Sequence, residues 1–360
     1  MVDWLAGKRV RGTSSERTGF GLSLGGTGVG GWVEIARTTL GGAGDNIDVT
    51  GLADKRYYMY LIDALYTPGA VINGKMRFNS DSGSNYARRN SYSGGADTTL
   101  TSQTSASVQS ATGNPYFGMG YVANYATKEK MALYFSIDRS TATAAYAPER
   151  DESVYKWANT SNAISSFNWF NDQSGNFDPG AEMVVLGWDP ADSHTNNFWE
   201  ELGSTELASP NANIDVDLSG TGTKKYIWIQ CYIPGFSTSA TPLFRADNGS
   251  ISVSDKYAFR KSENGGADTT ANTINQVQFH NTGVTTGQFI NIFMINNASN
   301  EKLGIIHAVG QNTAGAGNAP TRGESVFKHT NTSSQLDYFR IYSSAGTCDT
   351  GSIMKIWGAN

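Results

Sequence analysis

The chain has 360 residues, which is long enough for two domains with full hydrophobic cores, and a net charge of −5 with 16% charged residues. This charge excludes an overall basic field, so we expect no nucleic-acid partner. No stretch of roughly 18 consecutive apolar residues occurs, so we expect no membrane-spanning segment and no membrane partner. With 41 glycines and 39% hydrophobic residues, the composition favours short strands joined by turns and predicts an all-β fold.

Residues 1–27 differ in composition from the rest of the chain and predict a flexible, basic, glycine-rich N-terminal arm. Met1 to Val10 lack the apolar core of a signal peptide, because Gly7 to Arg9 interrupt the only hydrophobic run, so no classical secretion route is expected. The arm is either a disordered tail or a segment that becomes ordered on a neighbouring subunit. Its candidate attachment residues are Trp4, Lys8, Arg9, Arg11 and Arg17.

An internal duplication covers nearly all of the remaining chain. The run GGADTT occurs identically at Gly94 to Thr99 and at Gly265 to Thr270, and Lys156 to Ser161 matches Lys328 to Ser333 at an offset of 172. Further matches at an offset of 167 pair Trp32, Glu34, Leu40 and Asn46 to Val49 with Trp199, Glu201, Leu207 and Asn213 to Val216. We therefore predict one repeat over residues 28–190 and a second over 191–360, joined by a connector too short for independent tumbling.

Within each repeat, apolar residues alternate or form short runs bounded by Gly, Asn, Asp and Ser, which is typical of β-strands. The strands predicted in the first repeat include Trp32 to Arg37, Asn46 to Val49, Tyr57 to Tyr66, Val71 to Phe78, Tyr116 to Tyr121, Met131 to Asp138, Val154 to Ala158 and Glu182 to Gly187. Gly118 and Gly120 are interpreted as turn formers. Together these patterns predict a tandem duplication of an antiparallel, jelly-roll-like β-sandwich domain.

The few histidines and cysteines predict structural roles rather than a metal centre. The histidines are scattered, at His194, His280, His307 and His329, and no CxxC or HExxH spacing occurs. Cys231 and Cys348 both lie in the second repeat, and buried free thiols are favoured over a single disulfide bridge.

One short segment has the oxygen-rich composition of a calcium loop. Asn79, Asp81 and Asn85 alternate along the chain, and hard cations favour carboxylate and amide oxygens. In the second repeat Arg245 replaces Asn79, so the spacing is not preserved. The alternative is an Asx-type turn without a bound ion, and no other cofactor is expected.

Neither the carboxylates nor the aromatic residues define a catalytic site. Asp151 and Glu152 are adjacent, and neighbours on a strand point to opposite faces, so they do not form the facing pair of a glycoside hydrolase. No P-loop, Rossmann or nucleophile-elbow motif occurs, so we expect no enzyme activity. Exposed aromatics could stack on sugars, although packing in the core is the favoured interpretation. These aromatics are Tyr57, Tyr58, Tyr60, Trp157, Trp169 and Phe170.

Four segments, taken together, carry a resemblance to a known group of proteins. They are WLAGKRVRGTSSERT (Trp4 to Thr18), the run from Trp32 to Leu61, KWANTS (Lys156 to Ser161) and SIMKIWG (Ser352 to Gly358). As a set they resemble largely uncharacterised virion proteins encoded by marine tailed bacteriophages. The resemblance covers essentially the whole chain, but its motifs are structural and carry no site residues across. It implies a virion surface component that is assembled in the host cytoplasm.

Three functions remain open at this point. The first is a non-enzymatic virion structural protein, either a capsid decoration protein or a tail-associated one, that forms a homo-oligomer and attaches to other virion proteins through residues 1–27. A trimer is one candidate state. The second is a tail fibre or receptor-binding protein that recognises host-surface glycans through the GGADTT turns or the aromatic clusters. The third is a polysaccharide-degrading enzyme, which would need a concave cleft with two suitably spaced carboxylates.

Overall fold

The computed structural model describes residues 31–66, 72–107, 114–189, 197–279, 283–313 and 315–360. The described residues contain β-strands and no α-helix, so the all-β prediction is confirmed. Accordingly, none of them lies in a helix long and apolar enough to cross a membrane. The predicted N-terminal arm, with Trp4, Lys8, Arg9, Arg11 and Arg17, lies outside the described residues.

Twelve strands are described before residue 190 and twelve after residue 196. The first set is β1 (Val33–Thr39), β2 (Asn46–Thr50), β3 (Tyr57–Ala64), β4 (Gly74–Phe78), β5 (Tyr86–Tyr92), β6 (Thr98–Gln103), β7 (Ala106–Ser107), β8 (Tyr116–Ala123), β9 (Lys130–Asp138), β10 (Glu149–Trp157), β11 (Ser166–Asn171) and β12 (Glu182–Trp188). The second set is β13 (Glu200–Glu206), β14 (Asn213–Asp217), β15 (Tyr226–Ile233), β16 (Pro242–Asp247), β17 (Tyr257–Glu263), β18 (Thr269–Ile274), β19 (Val277–Gln278), β20 (Gln288–Ile295), β21 (Lys302–Gly310), β22 (Thr321–His329), β23 (Tyr338–Ser343) and β24 (Ile353–Ala359).

Each set forms one eight-stranded and one four-stranded antiparallel sheet. The strand order of the first pair is β1-β12-β3-β8-β9-β10-β5-β6 and β2-β11-β4-β7. The second pair has the order β13-β24-β15-β20-β21-β22-β17-β18 and β14-β23-β16-β19, which is the first order shifted by twelve strands. The fold is therefore a tandem duplication of one β-sandwich domain, as predicted.

The core of each sandwich lies between its large and its small sheet. Inward-facing apolar residues supply this core. On strand β2, for example, Ile47 and Val49 point inward and are buried, while the alternate residues of the strand are exposed. In the first domain the rings of Tyr60 on β3 and Phe167 on β11 lie 5.4 Å apart across the two sheets. In the second domain Phe244 on β16 lies 5.3 Å from Phe327 on β22. Burial of these apolar faces stabilises each sandwich.

Candidate functional site: the interface and cleft between the domains

The outer faces of the two large sheets pack against each other and form a third hydrophobic cluster. On strands β3, β8 and β9 of the first domain, alternate residues point away from that domain's own core. They include Leu61, Phe117, Met119 and Ile137. The second domain contributes residues from β15, β20, β21 and β22, including Tyr226, Phe293, Ile305 and Val326. All of these side chains are buried, so the two domains share an apolar interface.

A buried ion-pair cluster borders this apolar interface. Lys225 Nζ lies 3.0 Å from Asp63 Oδ2 and 3.1 Å from Glu182 Oε1, and Tyr226 Oη donates to Glu182 Oε1 at 2.7 Å. Burial alone would lower the pKa of Lys225, but the two carboxylates outweigh it and raise that pKa. Burial would likewise raise the pKa of Glu182, but Lys225 and the hydroxyl donors lower it. Lys225 of the second domain thus pairs with two carboxylates of the first.

Several equivalent positions of the two repeats meet each other at the interface. The ring of Phe135 contacts His307, its equivalent in the second repeat, at a centroid distance of 4.4 Å. Arg150 Nη1 lies 2.5 Å from Glu152 Oε1 and 3.2 Å from Oε2 of the equivalent Glu324. Equivalent positions of the two repeats therefore lie opposite each other at this point of the interface.

The two GGADTT turns also meet here. Gly94 has a φ of 74°. A Cβ added at Gly94 would lie 2.5 Å from the carboxylate of Asp268, which belongs to the second GGADTT turn. The turn therefore requires glycine both for its left-handed backbone and for close approach to the other domain.

Beside the turns lies a cleft of about 620 Å³, which we call the interdomain cleft. Its walls combine exposed charges with apolar side chains from both domains. The residues that define it are Arg89, Asp97, Leu133, Val154, Arg322 and Glu324, together with both GGADTT turns. A cleft of this size, with polar groups around an apolar wall, is a suitable place to bind a small polar ligand.

A single buried guanidinium organises the floor of the cleft. Besides Glu152 and Glu324, Arg150 contacts Asp268, with Nη2 lying 2.7 Å from Asp268 Oδ1. Burial raises the pKa of Glu152, an effect that Arg150 opposes and Glu324 reinforces. These carboxylates therefore hold the domains together through a shared cation. Across the described residues, no group of three or more His, Cys, Asp or Glu is placed to hold a metal ion.

The predicted calcium segment forms an Asx-type turn. Asp81 Oδ1 accepts from Gly83 N at 2.8 Å, and Oδ2 accepts from Asn85 Nδ2 at 2.8 Å and Trp157 Nε1 at 2.7 Å. Burial tends to raise the pKa of Asp81, but these N–H donors lower it overall. Asn79 Oδ1 instead accepts from the backbone at Ser165, at 2.7 Å. The oxygens are thus saturated by protein donors and do not converge, which favours the Asx-turn alternative.

Other sequence-predicted candidates occupy structural positions. Tyr58, Tyr60, Trp157 and Trp169 are fully buried, so core packing is confirmed for these four aromatics. Tyr57 stacks on Trp188, and Arg77 lies over the ring of Phe170. Cys231 and Cys348 are free and buried, as predicted, and burial raises the pKa of Cys348 to about 12. His329 is buried against Tyr257, whereas His194 and His280 lie outside the described residues.

Arg150, Glu324 and Asp268 were not predicted from the sequence to belong to one site. Arg150 and Glu152 match Arg322 and Glu324 at an offset of 172, so the duplication contained a usable signal. Contact between equivalent positions becomes evident only when the two copies are placed face to face.

No protein-family model and no curated protein matches the chain. Among solved structures, domains LG4-5 of the mouse laminin alpha1 chain match with a TM-score of 0.21 and 11% identity, over 91% of this chain and 91% of that chain. The LG1-3 region of the laminin alpha2 chain matches with a TM-score of 0.21 and 8% identity, over 89% of this chain and 64% of that chain. Similarity at these TM-scores carries no inference about function.

Proposed function

We propose that this chain is a non-enzymatic structural protein of a tailed-phage virion surface, a capsid decoration or tail-associated protein that attaches through residues 1–27. The observation that carries the proposal is the buried apolar interface between the domains, which joins two sandwiches into one block. Such a block suits a rigid surface component better than an enzyme, which needs loops or domains that move, or carboxyl groups that are free to contact substrate. The sequence resemblance to phage virion proteins supports the same function.

The state of the acidic groups in the cleft also supports a non-enzymatic function. A polysaccharide-degrading enzyme needs one carboxyl group as an acid and a second as a base or nucleophile, both facing the substrate. Glu152 and Glu324 instead share the guanidinium of Arg150. Asp151 points to the opposite face of β10, where it accepts a hydrogen bond from Ser153 Oγ at 2.6 Å.

The proposal is tested by cryo-electron microscopy of the native particle that contains this chain. We expect density for the two sandwiches on the outside of the head or tail, with residues 1–27 ordered between neighbouring subunits. A chain that lacks residues 1–27 should fold but fail to enter particles. Normal incorporation of this truncated chain would refute attachment through the arm, and absence of the chain from particles would refute the virion function.

A second candidate, recognition of host-surface glycans, is favoured by the composition of the interdomain cleft. Sugars combine apolar C–H faces with hydroxyl groups, and the cleft combines Leu133 and Val154 with the exposed charges of Arg89, Asp97 and Arg322. Binding to host polysaccharides should then be lost in Asp97→Ala and Arg322→Ala and retained in Lys355→Ala, a surface charge outside the cleft. Failure of the wild-type protein to bind any host polysaccharide would eliminate this candidate.

A further inference from the structure

The two domains use equivalent surfaces differently. In the second domain, Leu303, Ile305 and Val326 point outward from β21 and β22 and are only 1%, 2% and 0% exposed, because they belong to the interdomain cluster. Their equivalents at an offset of 172 are Met131, Leu133 and Val154, which we call the β9–β10 face. These three side chains are 66%, 48% and 46% exposed. The first domain therefore displays an uncovered copy of a surface that is covered in the second.

The covering surface is duplicated as well. In the interdomain cluster, Leu303, Ile305 and Val326 are buried together with Phe117 and Ile137 of the first domain. The equivalents of Phe117 and Ile137 in the second domain are Phe289 and Val309, which are 41% and 42% exposed. Both halves of a second interface are thus present on every chain, and within one chain neither half is covered by described residues.

The charged contacts at the edge of the interface follow the same pattern. Asp268 accepts from Arg150 across the domain boundary at 2.7 Å. The equivalent groups are Asp97 and Arg322, with side chains that are 51% and 60% exposed. Asp97 pairs with Arg89 and Arg322 pairs with Glu324, each within its own domain. They remain accessible to a further partner of complementary charge.

We infer that the β9–β10 face docks on the second domain of another copy of this chain, through Phe289 and Val309. Continuity with the existing interface supports this partner, since the same positions in the second domain are covered by a domain of this same fold. Three apolar residues of the existing interface, Leu61, Met119 and Val184, are replaced in the second domain by Gln230, Asn291 and Lys355. The intermolecular contact is therefore more polar than the internal one and is expected to be reversible.

The test is analytical ultracentrifugation of the full chain over a range of concentrations. Wild-type protein should form a concentration-dependent oligomer, and Met131→Glu and Val309→Glu should each weaken association by a factor of about thirty or more, because each buries an unpaired charge. Val253→Glu is the matched control, since Val253 is 69% exposed in the second domain and outside both surfaces, and it should associate as wild type does. Unchanged thermal unfolding would show that the variants fold.

Mixing the two variants tests the pairing itself. A Met131→Glu chain keeps an intact second domain, and a Val309→Glu chain keeps an intact β9–β10 face. Association should therefore recover in the mixture. A monomeric wild-type protein would overturn the inference. So would normal association of Val309→Glu, which would mean that two β9–β10 faces pair with each other. Loss of association on removing residues 1–27, with Val309→Glu unaffected, would identify the arm as the occupant and overturn it equally.

Discussion

At the scale of single residues, Asp151 is a carboxyl group that the fold keeps away from water. It lies on β10 next to Glu152 but points into the first sandwich, and it is 4% exposed. Burial raises the pKa of Asp151 to about 6, although the hydrogen bond from Ser153 and the charge of Arg88 oppose this shift. The folded protein therefore binds a proton on Asp151 at a pH where the unfolded chain has already released it.

We predict that Asp151→Asn removes a pH-dependent loss of stability. Between the ordinary aspartate pKa, about 3.9, and the folded value, the folded state binds more protons than the unfolded state, so wild-type stability falls as the pH rises. From pH 4 to pH 7.5, the free energy of unfolding of the variant should rise relative to wild type by on the order of 2 kcal/mol. Urea unfolding at several pH values measures this difference.

The control for this prediction is an exposed aspartate with the opposite shift. Hydrogen bonds from Ser219 lower the pKa of Asp217, so Asp217→Asn should show no relative gain in stability as the pH rises. A relative stability of Asp151→Asn that stays constant between pH 4 and pH 7.5 would mean that Asp151 is ionised in the folded protein throughout this range.

At the scale of secondary-structure elements, β8 shows how the two repeats fill the same volume with different residues. Gly120 lies opposite Tyr60 on β3 and Tyr134 on β9, and these two rings stack over it at a centroid distance of 5.8 Å. A Cβ at Gly120 would come within 2.3 Å of the Tyr60 ring. In the second domain the corresponding cross-strand triplet is Ile229, Ile292 and Ile306, all buried. The first core thus fills this layer with two tyrosines on either side of a glycine, whereas the second core fills it with three isoleucines.

We predict that Gly120→Ala destabilises the first domain by about 1–3 kcal/mol, because the added methyl group overlaps the Tyr60 ring. The triple variant Tyr60→Ile, Gly120→Ile and Tyr134→Ile should recover much of the stability lost by Gly120→Ile alone, since it adopts the packing of the second domain. Differential scanning calorimetry gives the comparison. Equal stabilities of the triple variant and Gly120→Ile would show that the two cores are not interchangeable at this layer.

Strand prediction succeeded where apolar residues alternate and failed at several segments rich in polar residues, both at the edges of the sheets and inside them. Strands such as β2 and β9 were predicted because buried and exposed residues alternate along them. The interior strand β5 (YARRNSY) and the edge strand β6 (TTLTSQ) were missed because they carry few apolar side chains, and the strand predicted at Thr273 to His280 overlaps only the end of β18. The interpretation of Gly118 and Gly120 as turn formers was wrong, because both lie within β8 and make room for tyrosine rings.

At the scale of the whole molecule, the sequence predicted the tandem duplication but not the way in which the domains pack. Leu61 and Met119 lie in continuous apolar runs, which indicate that both faces of a strand are buried. Such runs do not show which surface covers the outer face. The candidate site was partly predictable, because the GGADTT turns were recognised as repeated and accessible loops. Their convergence on the cleft depends on how the two domains pack against each other, which a linear sequence does not contain.

Arg150 is the residue on which this convergence depends. Its side chain is 6% exposed and contacts Glu152, Glu324 and Asp268, two of which belong to the second domain. The three carboxylates would repel each other without the guanidinium, and burial prevents water from screening them. Removing one partner from such a buried cluster typically costs about 3–5 kcal/mol, far more than removing an exposed pair.

We predict that Arg150→Met loosens the contact between the domains while each sandwich stays folded. Because the interface couples the domains, the wild type should unfold in a single calorimetric transition. In the Arg150→Met variant this transition should separate into two or shift to lower temperature. Arg322→Met is the matched control, because Arg322 is the equivalent residue of the second repeat with a side chain 60% exposed, and it should change stability by less than about 1 kcal/mol. Equal effects of the two substitutions would contradict the asymmetry of the interface, since the duplicated arginines would then contribute alike.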